Sequence, residues 1–78
     1  MREIQISLKS IDDVKHFVQT ITMFDGEFEL LSGKYIVDAK SILGLFSVDL
    51  SKPVTLRIEA DDAKIDQILK AIELYRVH

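Results

Sequence analysis

The sequence predicts a single α+β domain over residues 1–78, an open-faced sandwich in which a four-stranded antiparallel sheet carries three helices on one face. Two observations predict this class. Short runs in which apolar and polar residues alternate are typical of half-buried strands, whereas segments with apolar residues at helical spacing are typical of amphipathic helices. Their order is β-α-β-β-α-β-α, and each strand and each long helix has one apolar face. Helices on one side of the sheet therefore give an economical core.

The N-terminal third contains a strand followed by a helix. Ile4 and Ile6 alternate with polar residues, which predicts the first strand. Ser10 followed by Asp13 is an Asp variant of the capping box, and acidic residues at a helix start favour the positive end of its dipole. Apolar residues at helical spacing then predict a helix over 11–24, which the following Asp-Gly pair ends.

The middle of the chain predicts a hairpin and a short helix. Two extended runs around Ser32-Gly33 predict a β-hairpin over 27–38, although this turn signal is weaker than Asn-Gly. Ser41 stands directly before an apolar segment, so it can cap a short helix over 42–46. The same serine can also be a modification site, and the pattern alone leaves both interpretations open.

The C-terminal third predicts the last strand and the last helix. Pro53 fits only at the start of the fourth strand, where Val54, Leu56 and Ile58 alternate with polar residues. Asp61 or Asp62 then begins the last helix. Its apolar positions recur at helical spacing and are Ile65, Ile68, Leu69, Ile72 and Tyr75.

The composition excludes several classes of function. With 10 basic and 13 acidic residues the net charge is −3, which argues against broad nucleic-acid binding. The chain has no cysteine, two distant histidines and isolated glycines, so we expect no metal site, no cofactor and no phosphate-binding loop. No apolar run is long enough for a membrane span, and the N-terminus lacks the pattern of a signal peptide. A cytoplasmic protein is therefore expected.

The order of the elements, together with the stretch "VDAKSILGLFS", resembles the HPr family, the small histidine-containing phosphocarriers of the bacterial sugar phosphotransferase system. The resemblance covers essentially the whole chain and is densest from Val18 to Ser47. Its most specific part is a Lys-Ser-Ile-x-Gly segment, here Lys40 to Gly44. In many members this serine is the regulatory phosphorylation site, so the resemblance implies that role for Ser41.

The family's acceptor signature, Gly-Leu-His-Ala-Arg-Pro-Ala at the start of the first helix, is missing. A gapless alignment through "VQT" and "DAKS" puts Ser10 at the histidine position, Asp12 at the arginine and Asp13 at the proline. No imidazole or guanidinium is then available to hold a phosphoryl group, and a carboxylate repels it. His16 would lie in the second helical turn, where backbone N–H groups are already bonded, so we expect a solvated surface histidine. The resemblance thus implies a degenerate member without phosphocarrier activity.

The short helix of this family presents apolar side chains to partner proteins. A helix of five residues cannot bury all of them, and such a patch usually marks an interaction surface. We assign partner binding to Ile42, Leu45 and Phe46 with the neighbouring Lys40, and expect Leu45 and Phe46 to be exposed. Four other large apolar residues are assigned to the core or its edge: Met23, Phe24, Phe28 and Tyr75.

The leading functional hypothesis is a non-catalytic regulatory or adaptor protein that acts through the Ser41 helix, as in the catabolite-repression paralogues of HPr. Its candidate protein partners are an HPr kinase/phosphorylase and a transcription regulator, with no nucleic acid or membrane. Asp12 departs from those paralogues, because the arginine at that position contacts partners. Two alternatives stay open: a working phosphocarrier with an unconventional acceptor, and a purely structural interaction module. The oligomeric state is not predicted.

Overall fold

The computed structural model describes residues 1–77, so His78 lies outside the described residues. The elements follow the predicted order. They are β1 (Arg2–Ile6), α1 (Ile11–Thr22), β2 (Glu27–Ser32), β3 (Tyr35–Asp38), α2 (Ile42–Phe46), β4 (Val54–Glu59) and α3 (Asp62–Ala71), followed by a short 3₁₀ helix (Glu73–Tyr75). The predicted α+β class is confirmed.

The four strands form one antiparallel sheet in the order β1-β4-β2-β3. Its register aligns the apolar side chains in rows across the sheet. In one row Ile4 lies opposite Leu56, which lies opposite Leu30, which lies opposite Val37. These side chains face the helices, whereas the other face of the sheet carries the alternating polar residues. The architecture is therefore the predicted open-faced sandwich.

The core is one apolar layer between the sheet and the helices. Phe17 of α1 packs edge-on against the ring of Tyr75, with 5.8 Å between ring centroids. Within residues 1–77 no polar or charged residue is buried. The fully buried large side chains are Ile6, Val14, Phe17, Ile21, Leu30, Leu45, Leu56, Ile58, Ile68 and Ile72.

The end of α1 corrects one assignment to the core. The helix was expected over 11–24, but it ends at Thr22, and Met23 becomes the C-cap with 80% of its surface exposed. Met23 follows the last helical turn on its solvent side, so the apolar layer does not reach it. Phe24 is partly buried, and Phe28 and Tyr75 are buried, as predicted.

Two glycines provide backbone conformations that other residues rarely adopt. In the hairpin the two loop residues are Gly33 and Lys34, one position later than the predicted Ser32-Gly33, and Gly33 has φ +59°. At the turn after α1, Gly26 has φ +125° and lies against β4: a Cβ there would be 2.6 Å from the carbonyl oxygen of Glu59. The first glycine is required by its conformation, the second by its conformation and by its neighbour.

The two edges of the sheet are different. Along the outer side of β1, the Ser7 N–H donates to the Tyr75 carbonyl (2.8 Å), and the Val77 N–H donates to the Gln5 carbonyl (2.9 Å). The C-terminal segment thereby covers the end of β1. At the other edge, β3 has a strand neighbour, β2, on one side only within the described chain.

The two glycines give a stability prediction. Gly33→Ala should lower the free energy of unfolding by about 1 kcal/mol, because a residue with a Cβ is strained in the left-handed conformation. The added Cβ itself would meet no other atom. Gly26→Ala should lower it by about 3 kcal/mol, because its Cβ also overlaps the Glu59 carbonyl. Urea denaturation of both variants beside the wild type measures the two losses. Equal losses would contradict the close approach at Gly26.

Candidate functional site

The N-terminus of α1 is capped by its own side chains. The Asp13 N–H donates to Ser10 Oγ (3.1 Å), and the Lys9 N–H donates to Asp13 Oδ2 (3.0 Å). This is a reciprocal arrangement close to the capping box, shifted by one residue on the return bond. The predicted cap at Ser10 is confirmed.

The charge at this helix start is negative. Asp12 and Asp13 both lie in the first turn of α1. Within residues 1–77 neither carboxylate forms an ion pair with a lysine or arginine. The partial positive charge of the helix end is therefore already balanced by two carboxylates. A phosphoryl group brought to Ser10 would face both of them.

Tyr75 joins this end of α1 to the C-terminal segment. Its side chain is buried against Phe17. Burial raises the pKa of the Tyr75 phenol above its ordinary value of 10.0, and the nearby Asp13 carboxylate raises it further. Both effects disfavour the phenolate, so the neutral phenol is the stable form in the folded protein.

Ser41 occupies the corresponding position at α2. Its Oγ accepts the Gly44 N–H (3.2 Å), and its carbonyl accepts the Leu45 N–H (3.0 Å). The predicted cap is therefore confirmed. Unlike α1, the helix has no acidic residue in its first turn, and the Ser41 side chain is only partly buried. The cap bond uses one lone pair of the Ser41 hydroxyl, and the hydroxyl proton and the second lone pair take no part in it.

Lys40 forms several contacts within the chain. Its ammonium group donates to the Phe24 carbonyl (2.8 Å), approaches the Gly26 carbonyl (3.5 Å) and lies 5.0 Å from the centre of the Phe28 ring. These contacts tie the start of α2 to the turn after α1. The assignment of Lys40 to partner binding stays a prediction, and any partner would meet an ammonium that already bonds within the chain.

One of the residues assigned to an exposed patch is buried. Leu45 has no exposed surface, which corrects the expectation, whereas Phe46 is 47% exposed as predicted. Residues three apart lie on one side of a helix, so Leu45 shares the inward side with Ile42, which is partly buried. Leu43 shares the outward side with Phe46 and is 79% exposed. If Leu45 had been assigned to the core, the three-residue spacing in the sequence would have predicted that Leu43 is exposed together with Phe46.

A groove lies between the two helices α1 and α2. It has a volume of about 350 Å³ and lies between the start of α1 and the end of α2. The exposed Ile11 and Phe46 contribute to it. Ile11 is the first residue of α1, and its side chain meets solvent at this end of the helix. The complete lining is Leu8, Lys9, Ser10, Ile11, Val14, Phe46, Leu50 and Ser51.

The other sequence-based expectations concern His16, metals and membranes. His16 is exposed on α1, as predicted, and its carbonyl accepts the hydroxyl of Thr20 (2.8 Å). Over residues 1–77 no three histidine, cysteine or acidic side chains are grouped so that they could hold a metal ion. Among the described helices, none has both the length and the apolar character needed to cross a membrane.

Comparison with protein families gives a match over residues 13–75 to PTS-HPr, described as the PTS HPr component phosphorylation site. The matched segment contains His16 and Ser41 and begins after Ser10 and Asp12. Among solved structures, HPr-C-His from Thermoanaerobacter tengcongensis is 30% identical with a TM-score of 0.77, covering 94% of this chain and 88% of that chain. This chain belongs to the HPr family. Proteins of this family are phosphocarriers rather than classic enzymes, and they interact with other proteins of the phosphotransferase system.

Two further structures share the HPr fold at lower identity. The histidine-containing phosphocarrier protein of Mycoplasma is 14% identical with a TM-score of 0.73, covering 94% of this chain and 89% of that chain. The catabolite-repression protein Crh of Bacillus subtilis, described as a domain-swapped, intertwined dimer, is 23% identical with a TM-score of 0.64, covering 94% and 88%. No curated protein matches the sequence significantly.

The environment of Tyr75 predicts a titration outside the ordinary range. In a Tyr35→Phe variant Tyr75 is the only tyrosine left, so phenolate absorbance reports it alone. The midpoint should lie above 10.0 in the folded protein. The neutral Tyr75 phenol favours the folded state, because the pKa of Tyr75 is higher in the folded than in the unfolded protein. Its contribution to the free energy of unfolding is complete below the unfolded pKa and is lost as the pH rises through the folded pKa.

The Tyr75 prediction has an internal control. Asp13→Asn in the same background should lower the midpoint only part of the way, since burial is the larger cause of the raised pKa. A midpoint at or below the ordinary value, measured while circular dichroism still shows the native fold, would contradict the buried environment of Tyr75.

Proposed function

We propose that this chain is an HPr-family protein without phosphocarrier activity that works in the cytoplasm as a regulatory or adaptor protein. The observation that carries the proposal is the cap of α1. At the position that the alignment gives to the acceptor histidine, Ser10 Oγ already accepts the Asp13 N–H, and two carboxylates occupy the first turn. In this arrangement a serine stands at the aligned histidine position and a carboxylate at the aligned arginine position.

The chemistry of serine supports the loss of phosphoryl transfer. A carrier must take a phosphoryl group and pass it on, which the nitrogen–phosphorus bond of a phosphohistidine allows. A serine hydroxyl without a neighbouring base is a poor nucleophile, and its phosphoester is too stable to transfer. Ser10 has no base among its hydrogen-bond partners, which are backbone groups. Its role in the proposal is that of a helix cap.

Ser41 is the proposed site of regulatory phosphorylation. A kinase would join the Ser41 Oγ to the terminal phosphorus of a nucleoside triphosphate, break the bond to the diphosphate and release the hydroxyl proton. The product dianion would lie where α2 begins, close to backbone N–H groups and to no acidic residue of that helix turn. The fold can therefore accept the modification, and the main change is a new charge on the surface.

The groove between α1 and α2 is the proposed docking surface. Phe46 and Ile11 supply exposed apolar area there, and Leu43 extends it along the outward side of α2. Ile42 is partly buried and contributes less, and Leu45 supports the helix from below. The candidate partners are an HPr kinase/phosphorylase and a transcription regulator, the latter by analogy with the catabolite-repression protein Crh. Asp12 in the first turn of α1 favours a partner set different from that of arginine-bearing relatives.

The central experiment compares the two kinds of phosphorylation. With enzyme I and phosphoenolpyruvate, the protein should acquire no acid-labile phosphoryl group. With an HPr kinase and ATP, mass spectrometry should find one acid-stable phosphate, on Ser41. Ser41→Ala should abolish it, whereas Ser47→Ala, at the other end of the same helix, should leave it unchanged.

Two results would count against the proposal. An acid-labile phosphoryl group after incubation with enzyme I would establish a working phosphocarrier, and His16→Ala would then test the remaining histidine within the described chain. Protein isolated from its own cells that carries no phosphate on Ser41 under any carbon source would remove the regulatory role. A histidine-bearing HPr from the same assay serves as the positive control.

The docking surface gives a separate prediction. Phe46→Glu should weaken binding of the HPr kinase by roughly tenfold or more, because it puts a carboxylate into an apolar contact. Leu43→Glu should have a similar effect if the outward side of α2 is covered by the partner. The matched control is Asp66→Asn, an exposed carboxylate on α3 outside the groove. Unchanged affinity for Phe46→Glu, measured by calorimetry on a folded variant, would refute the assignment.

A further inference from the structure

The outer side of β3 is an open sheet edge. At the opposite edge, backbone bonds from the C-terminal segment cover part of β1. For β3 the described residues show no such bond, apart from the local one in which the Ser41 N–H donates to the Asp38 carbonyl. Open edges bind other extended chains unless charge, proline or shortness prevents it. Here the strand Tyr35–Asp38 is short and carries one charged residue, Asp38, so the edge limits which chains can pair with it.

The register shows which backbone groups face outwards. The Ala39 N–H donates to the Phe28 carbonyl (2.9 Å), towards β2. Successive N–H groups of a strand point to alternate sides, so Val37 bonds towards β2 as well, whereas Ile36 and Asp38 direct their N–H groups away from it. The Ile36 carbonyl points outwards too. These are the groups to which an added strand would bond.

A cavity with acidic walls lies beside these groups. Its volume is about 340 Å³, and the carboxylates of Glu27, Glu29 and Asp38 line it together with Ile36, which is 57% exposed. Lys40 is its single lysine or arginine, and the Lys40 ammonium is already bonded to backbone carbonyls. The cavity therefore combines an apolar wall with excess negative charge.

The neighbouring residues of the sheet compensate this negative charge only in part, through Arg57. Glu27 lies directly opposite Glu59 on β4, and neither forms an ion pair within residues 1–77. Arg57 is shared between Glu3 (2.9 Å) and Glu29 (3.5 Å). Like charges directly opposite each other destabilise a sheet, so a cation placed here is attracted. A second copy of this chain would bring the same carboxylates and be repelled.

We propose that the β3 edge and its cavity bind an extended, basic peptide segment of a partner protein. The peptide backbone pairs with Ile36 and the Asp38 N–H. An arginine side chain of the peptide lies along Ile36 and places its guanidinium against the carboxylates of Glu27 and Glu29. No residue lines both this cavity and the groove between α1 and α2, so the site is independent of the docking surface proposed above.

The probe is a synthetic peptide of alternating valine and arginine, blocked at both ends, added to the ¹⁵N-labelled protein. Saturable shifts should centre on the amides of Ile36 and Asp38, and exchange of these two amides with solvent should slow at saturation. The same peptide with glutamate in place of arginine should not bind. Absence of saturable shifts at millimolar arginine peptide overturns the proposal.

Further variants separate strand addition from simple charge attraction. Glu27→Gln should weaken the arginine peptide by roughly tenfold, whereas the matched Asp66→Asn should leave its affinity unchanged. Of two peptides N-methylated at alternate positions, one should lose at least tenfold in affinity and the other should bind normally, because only alternate N–H groups pair. Equal affinities for the two protein variants, or equal affinities for the two N-methylated peptides, would overturn the proposal. Shifts of the Ile36 amide that depend on protein concentration without peptide would show that a second copy of the chain binds this edge, and would overturn it too.

Discussion

One apolar layer between the sheet and the helices holds this molecule together, and the functional surfaces are arranged around it. The chain has no cysteine, and the described residues contain no buried polar side chain, so burial of apolar area supplies the main stabilising free energy. A layer of this size accepts only one side of each helix. Leu45 on α2 belongs to it, whereas Phe46 and Leu43 on the same helix meet solvent. The exposed groove is thus a consequence of how α2 is anchored.

The two serine caps have equal local structures but different electrostatic surroundings. Ser10 and Ser41 each accept the N–H of the residue three positions later. The first turn of α1 contains Asp12 and Asp13, but the first turn of α2 contains no acidic residue. A helix start carries roughly half a positive charge, which the two carboxylates already balance at α1. On this ground we expect a dianion to be repelled at the first cap and tolerated at the second.

Local signals predicted most of this structure, and long-range contacts account for what they missed. The order of elements and both caps depend on residues close together in sequence, so alternation, helical spacing and serine placement were sufficient. The inward side of α2 depends on how the helix meets the sheet, and a helix of five residues has too few positions to define an apolar stripe. The expectation for Leu45 was wrong for that reason. Lys40 bonds to Phe24, far along the chain, and no local pattern indicates such a contact.

Asp38 connects the β3 edge to the start of α2, where Ser41 lies. Its outward N–H belongs to the β3 edge, while its side chain accepts the Lys40 N–H and its carbonyl accepts the Ser41 N–H. A phosphoryl group on Ser41 would add negative charge close in sequence to the acidic cavity. Because the Debye length is about 8 Å at physiological salt, only the nearest charged groups would interact strongly with it. Lys40, next to Ser41 in the sequence, lines the cavity, and its ammonium is bonded to the Phe24 carbonyl (2.8 Å). If the new dianion attracts it away from its carbonyl partners, the cavity loses its only positive charge, and its attraction for a basic peptide increases.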